Sequence, residues 1–232
     1  MNVAIVLAAG KGTRFDSIFP KQIAELNGKT IVEYSLDIVE SLAGIEMTIL
    51  VIDPVYETIF KEITRKYTKR IELCPGGATR QQSVYKALEQ LNELIEKKEE
   101  TNVLIHDSAR PFAHMVFQRV LNKLIAFQAV VPIVKTKDTI YVIKDKQVVE
   151  IPCRDHLYNV QTPQGFSFQR IYDCHKLALK KGRTDFTDDG SLYSTFQKNQ
   201  PVIVDGDQLN FKITDKQDIL LAEYYLSNQT TN

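Results

Sequence analysis

The sequence predicts an α/β protein: a doubly wound, mostly parallel, Rossmann-like sheet with a projecting β-hairpin arm. Two observations carry that prediction. Short continuous apolar runs alternate with amphipathic stretches of helical period almost from end to end, the pattern of a parallel sheet covered on both faces. The alternation breaks once, at residues 137–156, where two strand-like runs flank a polar turn. Right-handed crossovers turn the repeating part into a layered, doubly wound structure.

Residues 3–7 read as a buried strand, β-branched and stopped by Ala8-Ala9-Gly10. Residues 30–42 carry Ile31, Tyr34, Leu36, Ile38, Val39 and Leu42, mostly at helical spacing. Residues 47–52 are strand again, and 55–67 form a helix with Ile59, Phe60, Ile63 and Tyr67 on one face. A short strand over 71–74 leads to a helix over 81–99. A fourth strand, 103–105, leads to a helix over 116–127, and 129–134 is a fifth strand. In the irregular stretch, runs over 139–143 and 148–151 are joined by Lys144-Asp145-Lys146-Gln147. Two exposed strands are only marginally stable alone, and a symmetric partner chain would cover them. Residues 137–156 are therefore expected to be a homodimerisation arm inserted within a single domain, 1–232. A run over 159–162, a helix over 168–181, a strand over 202–204 and a helix over 216–227 complete the layers. The polar tail 228–232 is expected to fray.

Composition narrows the function. The chain has 232 residues, 44% hydrophobic and 25% charged, which excludes disordered and collagen-like classes. Lys plus Arg and Asp plus Glu are both 29, so no basic excess points to nucleic acid. The longest early apolar run, 3–9, falls far short of the ~20 residues that span a bilayer, so no membrane association is expected. No basic leader precedes it, which predicts no secretory signal. Cys74, Cys153 and Cys174 form no C-x-x-C pair, and an odd number argues against a disulfide framework. The expected compartment is the cytoplasm.

Four segments carry chemistry. The first is Ala8-Ala9-Gly10-Lys11-Gly12-Thr13-Arg14, followed by Pro20-Lys21-Gln22. Small residues after the first strand let the backbone approach a ligand where α/β sheets bind, and N–H groups in such a turn can cradle phosphate oxygens. A dinucleotide fingerprint would need Gly at 15, where Phe15 stands. A Walker A loop ending at Gly28-Lys29-Thr30 would need Gly at 23, where Ile23 stands. Alone, the segment also reads as a βα turn with solvated basic residues. The second is Gly76-Gly77-Ala78-Thr79-Arg80-Gln81-Gln82-Ser83, a strand-to-helix turn in which Ser83 offers a hydroxyl. The third is Ile105-His106-Asp107-Ser108-Ala109-Arg110-Pro111. A lone Asp after an apolar strand suits Mg²⁺, and a helix cap or a salt bridge to Arg110 is the competing reading. His106 reads as structural. The fourth comprises Arg154, Gln161-Thr162-Pro163-Gln164-Gly165-Phe166, Thr187-Asp188-Asp189 and Asn210-Phe211-Lys212-Ile213-Thr214; taken singly, Thr-Asp-Asp is a helix N-terminus.

In this order the segments resemble the cytidylyltransferases that act on polyol phosphates. The resemblance runs from residue 3 to about residue 223. Its nearest branch uses 2-C-methyl-D-erythritol 4-phosphate in non-mevalonate isoprenoid precursor synthesis. The stretch Ile151-Pro152-Cys153-Arg154-Asp155 also resembles the sister branch, which uses ribitol 5-phosphate for wall or capsule polymers. Ser108, Phe15 and Ser194 depart from the usual pattern, which bears on the acceptor and not on the use of CTP.

The resemblance implies transfer of CMP from CTP to a polyol phosphate with release of pyrophosphate. It implies Arg14, Lys21 and Lys212 as catalytic cations. CTP would be held by Ala8, Ala9, Gly10, Lys11, Gly12, Gly76, Gly77, Ser83 and Asp107. The acceptor would meet Asp107, Arg110, Thr162, Thr187 and Lys212, with Thr139 and Arg154 of the arm reaching a partner's site. The implied cofactor is Mg²⁺ or another divalent cation beside Asp107.

Overall fold

The computed structural model describes residues 1–10 and 20–229. Its elements follow the expected alternation. Strand β1 (Asn2–Ala8) leads, after the short hairpin β2 (Glu25–Leu26) and β3 (Lys29–Thr30), to helix α1 (Ile31–Ser41). Then come β4 (Met47–Ile52), α2 (Glu57–Thr64), β5 (Arg70–Pro75), α3 (Arg80–Leu94), β6 (Asn102–Asp107), α4 (His114–Leu124) and β7 (Ala129–Lys135). The arm holds β8 (Val142–Lys144) and β9 (Gln147–Glu150). The chain returns through β10 (Tyr158–Val160), β11 (Gln164–Ser167), α5 (Phe168–Lys180), α6 (Asp189–Phe196), β12 (Val202–Asp205) and α7 (Lys216–Gln229).

The central sheet has the order β10-β7-β11-β6-β1-β4-β5, with β12 also paired to β7. Strand β1 is its pivot, parallel to β4 on one side and to β6 on the other. Both faces are buried, so alternate residues of β1 feed two cores. Val3 and Ile5 join one with α3, α5 and α6. Ala4, Val6 and Ala8 join the other with α1, α2 and α4. Such two-sided burial is why the strand lacks any polar alternation. A third, smaller core gathers Leu26, Ile31, Ile213 and Ala222. It anchors α7 and the loop before it against the β2–β3 corner.

Several boundaries differ from expectation. The helix expected over 81–99 ends at Leu94, where Ile95 turns to extended backbone. Beyond it Glu96-Lys97-Lys98-Glu99-Glu100 offers no apolar face, and packing rather than propensity sustains a helix of this kind. The helix expected over 55–67 covers only Glu57–Thr64: Pro54 opens a 3₁₀ turn before it, and tight turns from Lys66 N–H to Ile63 O and from Tyr67 N–H to Thr64 O follow it. Asn228 and Gln229 continue the last helix; the rest of the expected frayed tail lies outside the described residues.

Strand β11 is the largest surprise. Gln-Gly-Phe-Ser has little strand character, yet it runs antiparallel between β6 and β7 in the middle of the sheet. A Cβ on Gly165 would stand 2.6 Å from side-chain atoms of Val120 and Leu124, so only glycine lets α4 lie this close. In the arm, Asp145 and Lys146 take φ of 50° and 63°, which suits a two-residue hairpin turn. The β8 and β9 residues are all exposed in the single chain.

Candidate active site

Strand order reverses at β1: the chain moves from β1 to β4 and β5, then returns to the other side as β6. The carboxyl edge between β1 and β6 is thus the topological switch point, where open α/β sheets place their ligands. A cleft of about 520 Å³ opens there, bordered by Ala9, Gly10, Lys21, Gly77, Ser83, Asp107 and Lys212. A second cavity of about 300 Å³ adjoins it, bordered by Arg110, Thr162 and Thr187, and shares Arg80, Asp107 and Lys212 with the first.

Asp107 closes β6 at the junction of the two. Its Oδ1 accepts from Arg80 Nε at 3.1 Å, and its Oδ2 from Lys212 Nζ at 2.8 Å. Its backbone N–H donates to Thr162 Oγ1 at 3.0 Å. Burial alone would favour the protonated acid, but Arg80 and Lys212 outweigh it and hold the carboxyl well below the usual carboxylate range. The competing reading of Asp107, a salt bridge to Arg110, is not among the described ion pairs, in which Asp107 meets Arg80 and Lys212. Arg110 Nη1 donates instead to Asn210 O at 2.8 Å, and burial lowers its pKa.

The loop carrying Lys212 is held from both sides. Phe211 and Ile213 flank it and pack into the third core, while Lys212 between them faces the cleft and Asp107. Ile213 N–H donates to Ala109 O at 2.9 Å. Lys21, buried at 7% exposure, donates from Nζ to Ile213 O at 2.5 Å. Gln161 and Asn210 tie the same loop to Thr162: Asn210 Nδ2 donates to Gln161 Oε1 and Thr162 O. A lysine from the Pro-Lys-Gln segment and one from the Asn-x-Lys segment therefore meet across one cleft.

The glycine turn is shaped by contact. A Cβ on Gly76 would fall 2.3 Å from Ala9 Cβ, so this glycine lets β5 and the end of β1 close on each other. Gly76 and Ala8 do not border the cleft: Ala8 packs into the core, and Gly76 N–H donates to Ile52 O at 2.8 Å. Ser83 Oγ accepts from Gly77 N–H at 3.0 Å, which leaves its own O–H free to donate. His106 is fully buried, with Nδ1 3.2 Å from Thr162 Oγ1. Burial pushes its pKa down to about 3, so it stays neutral.

Lys11, Gly12 and Arg14 lie outside the described residues. Thr139 and Arg154 are exposed on the arm and border neither cavity of their own chain. Two contributors escaped the sequence reading. Arg80 stands in the Gly-Gly-x-x-Arg-x-x-Ser segment with no role read from sequence, although a cation opening a helix is itself a signal. Gln22 donates from Nε2 to Gly10 O at 2.9 Å and so latches the glycine turn. Among the described residues no three His, Cys, Asp or Glu side chains gather as a metal cage. With both its oxygens engaged by cations, Asp107 alone does not build a resident metal site.

A family model described as 2-C-methyl-D-erythritol 4-phosphate cytidylyltransferase (IspD) matches residues 2–228. The protein of that name from Clostridium beijerinckii is 41% identical over 233 residues, covering 97% of this chain and 98% of its own length. That from Thermosipho melanesiensis is 38% identical over 224 residues, covering 95% and 96%. Among solved structures, 4-diphosphocytidyl-2C-methyl-D-erythritol synthase of Anaerococcus prevotii superposes with a TM-score of 0.83 at 35% identity, covering 97% of this chain and 98% of that one. The Francisella tularensis cytidylyltransferase gives 0.81 at 27% identity, with 96% and 98% covered. From strand β1 to the last helix, this chain belongs to the 2-C-methyl-D-erythritol 4-phosphate cytidylyltransferase family.

Proposed function

We propose that the protein transfers the cytidylyl group of CTP to the phosphate of 2-C-methyl-D-erythritol 4-phosphate, giving the CDP-polyol and pyrophosphate. The observation that carries this reading is one cleft at the switch point bordered by Lys21, Asp107 and Lys212, in a chain that matches its family over residues 2–228. The ribitol 5-phosphate alternative is not favoured, because the family model, relatives and structures above all carry the methylerythritol name.

In the step, an oxygen of the acceptor phosphate bonds to the α-phosphorus while the bond from that phosphorus to the bridging oxygen breaks, and pyrophosphate leaves. A phosphate monoester is already an anionic nucleophile at neutral pH, so no general base is needed. Catalysis is positioning together with neutralisation of charge on the α- and β-phosphate oxygens. We assign that neutralisation to Lys21 and Lys212, with Arg14 and Lys11 from the segment outside the described residues. Ala9 and Gly77 would offer backbone groups to the cytosine, with Ser83 donating its hydroxyl proton; Ala8, packed into the core behind them, would support that turn and make no contact with the base. Gly10, Gly12 and Gly76 would shape the turn around the triphosphate. Arg110, Thr162 and Thr187, which border the smaller cavity, would receive the acceptor.

A divalent cation fits as part of a metal–nucleotide substrate, held by phosphate oxygens and water and close to Asp107. We read the chain as one catalytic domain with 137–156 as a homodimerisation arm, whose Thr139 and Arg154 complete the partner's acceptor pocket. No helix among the described residues is long and apolar enough to cross a membrane, and the substrates are soluble anions; we assign the reaction to the cytoplasm. A pyrophosphate-release assay tests the reading, using methylerythritol phosphate or ribitol phosphate with each of the four nucleoside triphosphates. Release is expected with CTP and methylerythritol phosphate only. Equal or faster turnover of ribitol phosphate overturns the acceptor, and no preference for CTP overturns the donor.

A further inference from the structure

Arg80 opens α3, where the helix dipole disfavours a cation, and no acidic residue stands in that first turn to offset it. A local rule broken at the mouth of a cleft points to a role beyond the helix itself. The side chain reaches two carboxylates from two other elements. Nε donates to Asp107 Oδ1 at 3.1 Å, and Nη1 donates to Asp189 Oδ2 at 2.8 Å. Asp189 is 1% exposed and opens α6, where a carboxylate is favoured. Its other oxygen accepts from the buried His175 Nε2 at 3.1 Å. The result is a chain of contacts, Lys212–Asp107–Arg80–Asp189–His175, that runs from the cleft into the core. Arg80, Asp107 and Lys212 are shared by the two cavities.

We infer that Arg80 is a positioning residue for the reaction: anchored on Asp189, its fork fixes the Asp107 carboxylate, and through it the Lys212 ammonium, on the boundary between donor and acceptor pockets. A planar guanidinium can hold two carboxylates at set angles, whereas an ammonium at the end of a flexible stem cannot. Without that brace Asp107 retains Lys212 as partner, but neither has a fixed place relative to the α-phosphorus. Displacements of about 1 Å at such a point can cost ~100-fold in rate. The inference rests on the proposed cytidylyl transfer.

The test uses full-length wild type, Arg80→Lys, Asp189→Asn and the double variant. Steady-state kinetics with CTP and methylerythritol phosphate is accompanied by titration of CTP binding and by thermal unfolding. Arg80→Lys is expected to lower kcat by about tenfold or more, while the affinity for CTP stays within about threefold, since the nucleotide's other contacts remain. Asp189→Asn is expected to give the same pattern, and the double variant to be no worse than Arg80→Lys, because the two act as one unit. Wild-type kcat in folded Arg80→Lys, loss in proportion to unfolded protein, or losses that multiply in the double variant would each overturn the inference. Should Arg80→Lys not fold, Asp189→Asn decides by the same kcat criterion. A wild type that makes no CDP-polyol defeats the reaction itself, which separates that failure from this one.

Discussion

At the scale of single residues, charge placement decides what the cleft can do. Lys21 is buried and bonded to the Ile213 carbonyl, so its ammonium ties down the loop that carries Lys212, in addition to its proposed service as a cation for phosphate. Lys21→Ala is expected to lower kcat by ~100-fold or more, the usual cost of losing a donor aimed at developing negative charge. Full turnover in a folded Lys21→Ala protein removes its assigned role. His106 supplies a pH test. Its pKa is pushed down by burial from 6.5 to about 3, so below pH 6.5 the unfolded chain takes up a proton that the folded chain refuses. Stability from this group is therefore complete above pH 6.5 and declines on acidification towards pH 3, by about 1.4 kcal/mol per pH unit. Urea unfolding at pH 7 and pH 5 should show the decline in wild type and its absence in His106→Gln; a flat wild-type profile contradicts it. Asp107 was legible from its place at the end of an apolar run, while Lys21 and Lys212 were legible only through the family resemblance of their motifs, since a lysine in a polar loop reads alone as a solvated charge. The Arg80–Asp107 pair was not legible, since it joins a helix start to a strand end 27 positions apart in a way no local pattern encodes.

At the scale of elements, apolar periodicity reads well where a strand is buried on both faces and poorly where packing overrides propensity. Strands β1, β4 and β6 announce themselves with β-branched runs. Strand β11 does not, because Gly165 serves the close approach of α4 and Gln164 serves α6 through bonds to Asp188 and the Gly190 N–H. Its strand state comes from its neighbours. The end of α3 was misjudged for a related reason: charged residues can continue a helical period, but they bring no buried face to hold it. The β1–β5 junction gives this scale its own prediction. Gly76→Ala would set a methyl 2.3 Å from Ala9 Cβ, with Ile52 O also near at 3.4 Å. Either β5 shifts or the Ala9–Gly10 turn is pushed open. Destabilisation of about 1–3 kcal/mol is expected, the usual range for overpacking, with weaker CTP binding. An unchanged melting temperature and CTP affinity would show that the close approach has slack.

At the scale of the whole molecule, the arm sets the requirement. Ile143, Val148, Val149 and Ile151 are each about half exposed in one chain, between 50% and 57%. Four exposed apolar side chains gathered on one small hairpin are what the proposed homodimer interface would cover. The two arm residues expected to touch the acceptor, Thr139 and Arg154, border neither the cleft nor the adjoining cavity of their own chain. Arg154 is held near the arm's base by a 3.4 Å contact from Nη1 to Lys137 O. A two-fold dimer would turn each arm toward the other subunit, making every active site a product of both chains. Complementation follows from that geometry. A Lys21→Ala chain lacks a cleft cation but carries an intact arm, and an Arg154→Ala chain has the reverse defect. In a mixed dimer one site combines the intact cleft of the second chain with the intact arm of the first, while the other site bears both lesions. Each homodimer should be nearly inactive. Verified heterodimers, isolated by two affinity tags, should recover about half of wild-type turnover per dimer, because one of two sites is whole. Heterodimers no more active than their parents would place Arg154 in the service of its own chain and dissolve the shared site.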